Sequence, residues 1–230
     1  MKMDKIISFC LYGDNPKYTI GAIKNAKLAK TLYPDWKCMF FCDSSVSVDI
    51  INRLKDFNNT IVIMKDGNND AGGMFWRFEP ISYSAVDVMI VRDTDSRLSE
   101  REVAAVNDWL DSGKLFHIMH DHPWHGPNCI VGCMFGIRKP LLTNIISLIE
   151  DWPHKKYYND DQHFLNTIIL PMVKNETCYH DEINLSIDCP FPTKRIGLEF
   201  VGNVFNEHDE PMHPEFYLQL KQRLDLLGKY

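Results

Sequence analysis

Two carboxylates one residue apart, Asp93-Thr94-Asp95, close the apolar run Asp87-Val88-Met89-Ile90-Val91-Arg92. A β-branched run that stops on two acids reads as a buried strand delivering them to its carboxyl end. Open α/β sheets bind their ligands at that end. An Asp-X-Asp pair there can hold a hard divalent cation through oxygen ligands, and the cation can hold a diphosphate. The competing reading is a strand-to-helix turn, with Asp95 or Ser96 capping a helix that starts near Ser99.

Four further groups of residues fall into line with this pair. The first is the turn Leu11-Tyr12-Gly13-Asp14 after the opening strand. The first strand-to-helix turn of an α/β fold faces the ligand cleft. There Tyr12 can stack on a base, Gly13 lets backbone approach, and Asp14 can accept from a base or ribose. The second is Arg77 within Gly73-Met74-Phe75-Trp76-Arg77-Phe78. A charge among aromatics calls for an anionic partner, either Asp93 or a phosphate, unless it snorkels outward. The third is His117-Ile118-Met119-His120-Asp121-His122-Pro123-Trp124-His125. Four histidines and an aspartate suggest metal, but the proline breaks helical ligand spacing. A polar loop in which Asp121, His122, Trp124 and His125 bond sugar hydroxyls explains them equally well. Gly132 and Gly136 in the next strand allow a ligand or backbone to come close. The fourth is Asn159-Asp160-Asp161-Gln162-His163. Paired acids opening a helix suit its positive end, and one of them can cap while the other contacts base or sugar. Asp161 is the expected functional residue because Gln162 adds a polar contact.

These groups must be positioned by an alternating chain. Strands are expected at Lys5–Tyr12, Lys37–Cys42, Thr60–Met64 and Asp87–Arg92. Helices are expected at Tyr18–Tyr33, Val46–Phe57 and Met74–Ala85, the last broken at Pro80, with a polar glycine-rich loop at Asp66–Gly73. That alternation predicts an α/β fold with a mostly parallel sheet flanked by helices. The later chain predicts a helix over Glu102–Leu110 and strands over Leu115–Met119 and Ile130–Arg138. Helices follow over Pro140–Asp151, Asp160–Leu170 and Phe216–Leu227, with only short strands after Val173. No repeat or linker interrupts the 230 residues, so one domain is expected, residues 1–97 forming a nucleotide-binding half and 98–230 an acceptor-binding half.

Composition narrows the class. At 45% hydrophobic residues the chain can build a sizeable core. A net charge of −6 with no basic block argues against a nucleic-acid partner. Seven cysteines, an odd number set in apolar runs, read as free thiols in a reducing compartment. Neither a signal-peptide core nor a run of about 20 apolar residues is present, so a soluble, cytoplasmic protein is expected.

The order of strand-turn, Trp-Arg, Asp-X-Asp, glycine-bearing strand and Asp-Gln helix resembles the GT-A glycosyltransferases. Arg92-Asp93-Thr94-Asp95-Ser96-Arg97, His120-Asp121-His122-Pro123, Gly132 to Gly136 and Asp160-Asp161-Gln162 look like the small single-domain glycosyltransferases of large DNA viruses and some bacteria. The resemblance covers most of residues 5 to 205. It implies a GT-A, Rossmann-like mixed sheet. It also implies Mn²⁺- or Mg²⁺-dependent transfer of a sugar from a nucleoside diphosphate sugar, most often a UDP-sugar, to a glycan or other hydroxyl acceptor. Asp95, with Asp93, would hold the ion, and Arg97 or Arg77 would add charge near the phosphates. Asp161 or Asp160 would act as base in an inverting enzyme and position the donor in a retaining one. Many retaining members end in His-X-X-Gly-X-X-Lys, whose His binds the metal. Here Val201–His208 stands in that place, offering His208 as third ligand. A metal-dependent phosphohydrolase built on His120–His125 and a non-catalytic nucleotide-sugar-binding module are the alternatives.

Overall fold

The computed structural model describes residues 4–67, 71–153, 157–184 and 189–229. The first half follows the expected alternation. Strand β1 (Asp4–Leu11) leads into helix α1 (Pro16–Leu32), where the Asn15 side chain accepts from the Lys17 N–H and Pro16 fills the first turn. Strand β2 (Trp36–Cys42), helix α2 (Val48–Lys55, capped by Ser47), and strands β3 (Thr60–Met64) and β4 (Val86–Val91) complete it. Residues 68–70 of the expected glycine-rich loop lie outside the described residues. The predicted helix over Met74–Ala85 is instead a 3₁₀ segment, Ala71–Ser82, with Pro80 inside it.

The second half departs from the alternation. Helix α3 (Glu100–Asp111) is capped by the Ser99 hydroxyl, so neither Asp95 nor Ser96 is needed as its cap. Strand β5 (Phe116–His120) is followed by β6, which covers only Phe135–Arg138 of the expected Ile130–Arg138. The reason is local. The Asn166 side chain takes both the N–H and the C=O of Ile130, at 2.8 and 3.0 Å, leaving none for a ladder. Helices α4 (Ile145–Asp151), α5 (Asp160–Phe164) and α6 (Leu170–Val173) follow, with a π turn over Leu165–Ile169 between the last two. Strand β7 (Thr177–Asp181) and helix α7 (Pro214–Leu226) close the chain.

Among the described residues the seven strands form one sheet in the order β3-β2-β1-β4-β6-β5-β7. All pairings are parallel except those of β6, which runs against both β4 and β5. The period-2 alternation sorts side chains between two cores. Ile7, Phe9, Val88 and Ile90 face α1 with its Ala22, Ala26 and Ala29, while Ile6, Met89 and Val91 face Phe75, Phe78 and Phe164. No described helix is long and apolar enough to cross a membrane.

Candidate active site

Chain direction sets the place of the site. From β1 the chain moves outward to β2 and β3, then returns to the other side of β1 as β4. Between β1 and β4 the strand order reverses, and a cleft opens at their carboxyl ends. Because β6 is antiparallel, the segment entering it meets the same end. A cleft of about 300 Å³ results, with Leu11 and Tyr12 after β1, Asp93–Asp95 after β4, Gly132 and Cys133 before β6, and Asp161 and Gln162 from α5. Two close approaches hold this assembly. Gly21 of α1 lies under the Asp-X-Asp turn, where a Cβ would come within 2.1 Å of the Thr94 carbonyl. At Gly132 a Cβ would lie 3.0 Å from Arg77 Nη2 and 3.1 Å from Asp161 Oδ2.

Arg77 is the electrostatic centre. It is 4% exposed, donates to Asp93 through one terminal nitrogen, and to Asp161 through the other at 2.8 Å. Burial opposes its charge, but the Asp93 and Asp161 carboxylates hold its pKa well above the ordinary value. Asp95 is nearly buried and lies 3.0 Å from Lys17 Nζ. Desolvation first, and then the Asp93 charge, raise the Asp95 pKa against the pull of Lys17. The two cleft thiols are inert: burial pushes Cys10 up to about 12 and drives Cys133 well above its normal range.

Leu11, Tyr12, Arg77, Asp93, Thr94, Asp95, Gly132, Asp161 and Gln162 are thus brought to one cleft. The other expected residues lie elsewhere. Gly13 is just outside, its N–H donated to Ser45 Oγ at 2.6 Å, and Asp14 is exposed to solvent. Arg97 turns away from the cleft to Asp209 and the Asn206 carbonyl, bracing the 205–211 turn. Asp121 is fully buried. It receives both arms of Arg101 at 2.9 Å, Arg195, and the Val201 N–H, so it anchors the C-terminal segment instead of meeting a sugar. His122 caps the short Pro123–His125 turn and packs on Phe200 and Phe216. Asp160 is buried and accepts the Tyr157 N–H at 2.8 Å, a donor that precedes α5, so this bond is not the helix cap expected of it. The His208 side chain is 72% exposed. Among the described residues Asp93, Asp95 and His208 do not gather into a three-ligand cluster.

The histidine-rich loop offers no convergent ligand set either. His120 is held between Asp181 and the Cys129 carbonyl, each at 2.8 Å, and His125 Nδ1 accepts the Asp121 and His122 N–H groups. Burial and the neighbouring imidazoles keep His125 neutral. Sequence reasoning missed Lys17, Tyr18 and Tyr158, which frame the acid pair and the mouth of the cleft. Nothing in the sequence singles out Lys17, since its place depends on how α1 leaves the sheet. Tyr158 carries one signal: it is 83% exposed, and a large exposed aromatic at a cleft mouth marks a contact surface.

A divalent ion fits this donor set. Asp93 and Asp95 offer hard oxygen ligands on one rim, and burial first, then the Asp93 charge, disfavour the ionised Asp95, a cost that such an ion offsets.

No family model matches the chain, and no curated protein matches it in sequence. Solved structures do match in shape. The galactosyltransferase LgtC, in complex with donor and acceptor sugar analogues, superposes with a TM-score of 0.52 at 14% identity, over 77% of this chain and 73% of that one. The mannosyltransferase PcManGT from Pyrobaculum calidifontis, in complex with GDP-Man and Mn²⁺, gives 0.51 at 8% identity, over 79% of this chain and 56% of its own. The 4-diphosphocytidyl-2C-methyl-D-erythritol synthase of Anaerococcus prevotii gives 0.50 at 9% identity, over 79% and 90%. At these identities the likeness is one of architecture. The chain has a GT-A, Rossmann-like α/β fold, with one mostly parallel seven-stranded sheet and a cleft at the β1/β4 reversal.

Proposed function

We propose that this chain is a glycosyltransferase that moves a sugar from a nucleoside diphosphate sugar, a UDP-sugar being the first candidate, to a hydroxyl acceptor. The observation that carries the reading is the convergence of Asp93 and Asp95 after β4 and Asp161 from α5 on one cleft around buried Arg77, which comes from a third element. In this reading residues 1–97 hold the nucleotide, with Tyr12 against the base. Asp93 and Asp95 hold Mn²⁺ or Mg²⁺, which when bound neutralises charge on the departing diphosphate. Lys17 keeps the Asp95 carboxylate facing the cleft. Arg77 fixes Asp161 at 2.8 Å, and so fixed it orients the donor sugar's hydroxyls beside Gln162. Residues 98–230 supply the acceptor side, with Tyr158 at the mouth.

The likeness to a 4-diphosphocytidyl-2C-methyl-D-erythritol synthase suggests a second reading, transfer of a nucleotide from a nucleoside triphosphate. The loop after β1 speaks against it. A triphosphate cradle uses free backbone N–H groups, whereas here the Gly13 N–H is donated to Ser45 and Pro16 has none.

A thermal-shift panel of UDP, UDP-sugars, GDP-mannose and CTP, each with Mn²⁺ or with EDTA, tests the reading. A diphosphate sugar should stabilise the protein more with Mn²⁺ than with EDTA, and Asp95→Ala should abolish that difference while melting cooperatively. Equal shifts with Mn²⁺ and EDTA would refute the metal-held diphosphate, and a shift with CTP alone would favour nucleotidyl transfer.

A further inference from the structure

Away from the cleft, on the opposite side of the sheet's last strands, Asp108, Cys178 and His180 come together. Their ligand-type atoms all lie within 4.8 Å of one another, the only such grouping among the described residues. Cys178 and His180 are two apart on β7 and therefore share a face. Asp108 reaches them from the last turn of α3, its Oδ2 3.2 Å from His180 Nε2. Taken alone, the last contact is an ordinary histidine–aspartate pair on a surface. Two further features take it beyond that.

The first is the mix of donors. One thiol, one imidazole and one carboxylate is the combination borderline-soft zinc selects, and it is unlike the all-oxygen pair at Asp93 and Asp95. Zinc binds sulfur at about 2.3 Å and nitrogen or oxygen at about 2.0–2.2 Å. Atoms within 4.8 Å of one another need only small side-chain rotations to reach that geometry, and half-exposed Asp108 is free to make them. The second is the support behind the imidazole. A histidine that ligates through Nε2 carries its proton on Nδ1, and that proton needs an acceptor. His117 Nε2 stands 2.8 Å from His180 Nδ1. His117 is itself fully buried and stacked on Trp109, with ring centroids 5.2 Å apart, so its position is fixed by the core. Phe191 packs on the other flank of His180. An imidazole is thus already oriented, with its second nitrogen partnered, toward a carboxylate and a thiol.

The geometry points to a zinc site formed by Asp108, Cys178 and His180, with water in the fourth position and His117 as the positioning residue behind it. The ion would clasp the C-terminal turn of α3 to β7, an edge strand whose only strand partner in the sheet is β5. The thiol gives up its proton to solvent when it binds zinc. No redox step is involved, and the site stands whether or not the chain transfers sugars.

The full chain, purified without a metal-affinity tag and freed of metal, should bind about one zinc ion per chain by elemental analysis after dialysis. Cobalt(II) should produce a thiolate-to-metal absorption band. Cys178→Ser should remove that band and weaken zinc binding at least 100-fold, while Asp95→Ala leaves both intact. His117→Phe should weaken zinc 10- to 100-fold without removing the band, the behaviour of a residue acting through a ligand. Should Cys178→Ser fail to fold, as judged by its melt in EDTA, the cobalt spectrum of the unaltered protein and of Asp108→Asn decides. A cobalt complex without the thiolate band, or zinc affinity unchanged in Cys178→Ser, would overturn the assignment.

Discussion

Replacing Arg77 with methionine removes the cation shared by Asp93 and Asp161 while keeping an apolar stem. The two acids respond differently. Asp93 is 39% exposed at its side chain and can be solvated from the cleft, whereas Asp161 is 3% exposed and is left charged in the interior. Stranding one partner of a buried pair costs about 3–5 kcal/mol. Part of that is offset, because Arg77 Nε is buried with no hydrogen-bond partner, and removing such a donor recovers about 1–3 kcal/mol. The net expectation is a loss of about 2 kcal/mol, or roughly 4–8 °C in Tm for a domain of this size. The decisive measurement is a double-mutant cycle. Arg77→Met with Asp161→Leu removes both charges and should lie within about 1 kcal/mol of the parent, since apolar replacement of a buried pair is often neutral. Urea midpoints at constant m-value give the four stabilities. A coupling of at least about 1.5 kcal/mol is expected, and losses that simply add, within about 0.5 kcal/mol, would refute the shared-cation reasoning. All three variants should also lose donor-sugar stabilisation in the thermal-shift assay, because the cleft's charge pattern is gone in each.

Gly132→Ala should place a methyl against the Arg77–Asp161 pair and cost about 1–3 kcal/mol, with weakened donor binding at equilibrium; normal binding in that variant would detach Gly132 from the cleft. Asp121→Asn should lower stability by about 1–3 kcal/mol, since Arg101 and Arg195 lose their buried acceptor but keep Glu182, yet leave the folded protein's donor affinity unchanged; a selective loss of affinity would restore its sugar-binding role. The pairing with Asp181 raises the His120 pKa from 6.5 to about 9 despite its burial. Its stabilisation is therefore full below about pH 6.5 and lost as pH rises through 9, an upper bound of about 3 kcal/mol. His125 and His117, held neutral by burial, oppose this by destabilising the fold as pH falls below 6.5. Urea midpoints from pH 5 to 10 should peak near neutrality, and His120→Gln should flatten the alkaline side.

The first half of the fold was legible because β1, β2 and β4 are largely buried apolar runs and its helices begin at recognisable caps. Thr60–Met64 matches its expected bounds, and α1 and α3 start within a turn or so of theirs. The second half was harder for a physical reason. Ile130–Val131 is apolar enough to read as strand, but the Ile130 backbone bonds to the side chain of Asn166, a partner distant in sequence, and the Val131 carbonyl accepts from Met134 in a turn. Thr177–Asp181 has little apolar alternation, so an edge strand there leaves only a faint pattern. At the site, Asp93, Asp95 and Asp161 were readable from their places at a strand end and a helix start. Asp121 and His122 misled because buried ion pairs and caps draw on the same residue types as sugar binding. Lys17 was invisible, since only the docking of α1 brings it to Asp95.

The insertion of β6 between β4 and β5 has a consequence for synthesis on the ribosome. Strand β4 pairs with β1 on one side as soon as both exist, but its other side waits for Phe135–Arg138. Until those residues emerge, the nascent chain carries the open edge of Val86–Val91, almost wholly apolar, on an otherwise complete four-stranded sheet. At about 5–20 residues per second that interval lasts a few seconds. An unpaired, unprotected apolar edge is a template for pairing with other chains. Expression of this protein should therefore be most sensitive to pausing between Arg92 and Arg138, and truncations ending in that interval should aggregate while slightly longer ones do not.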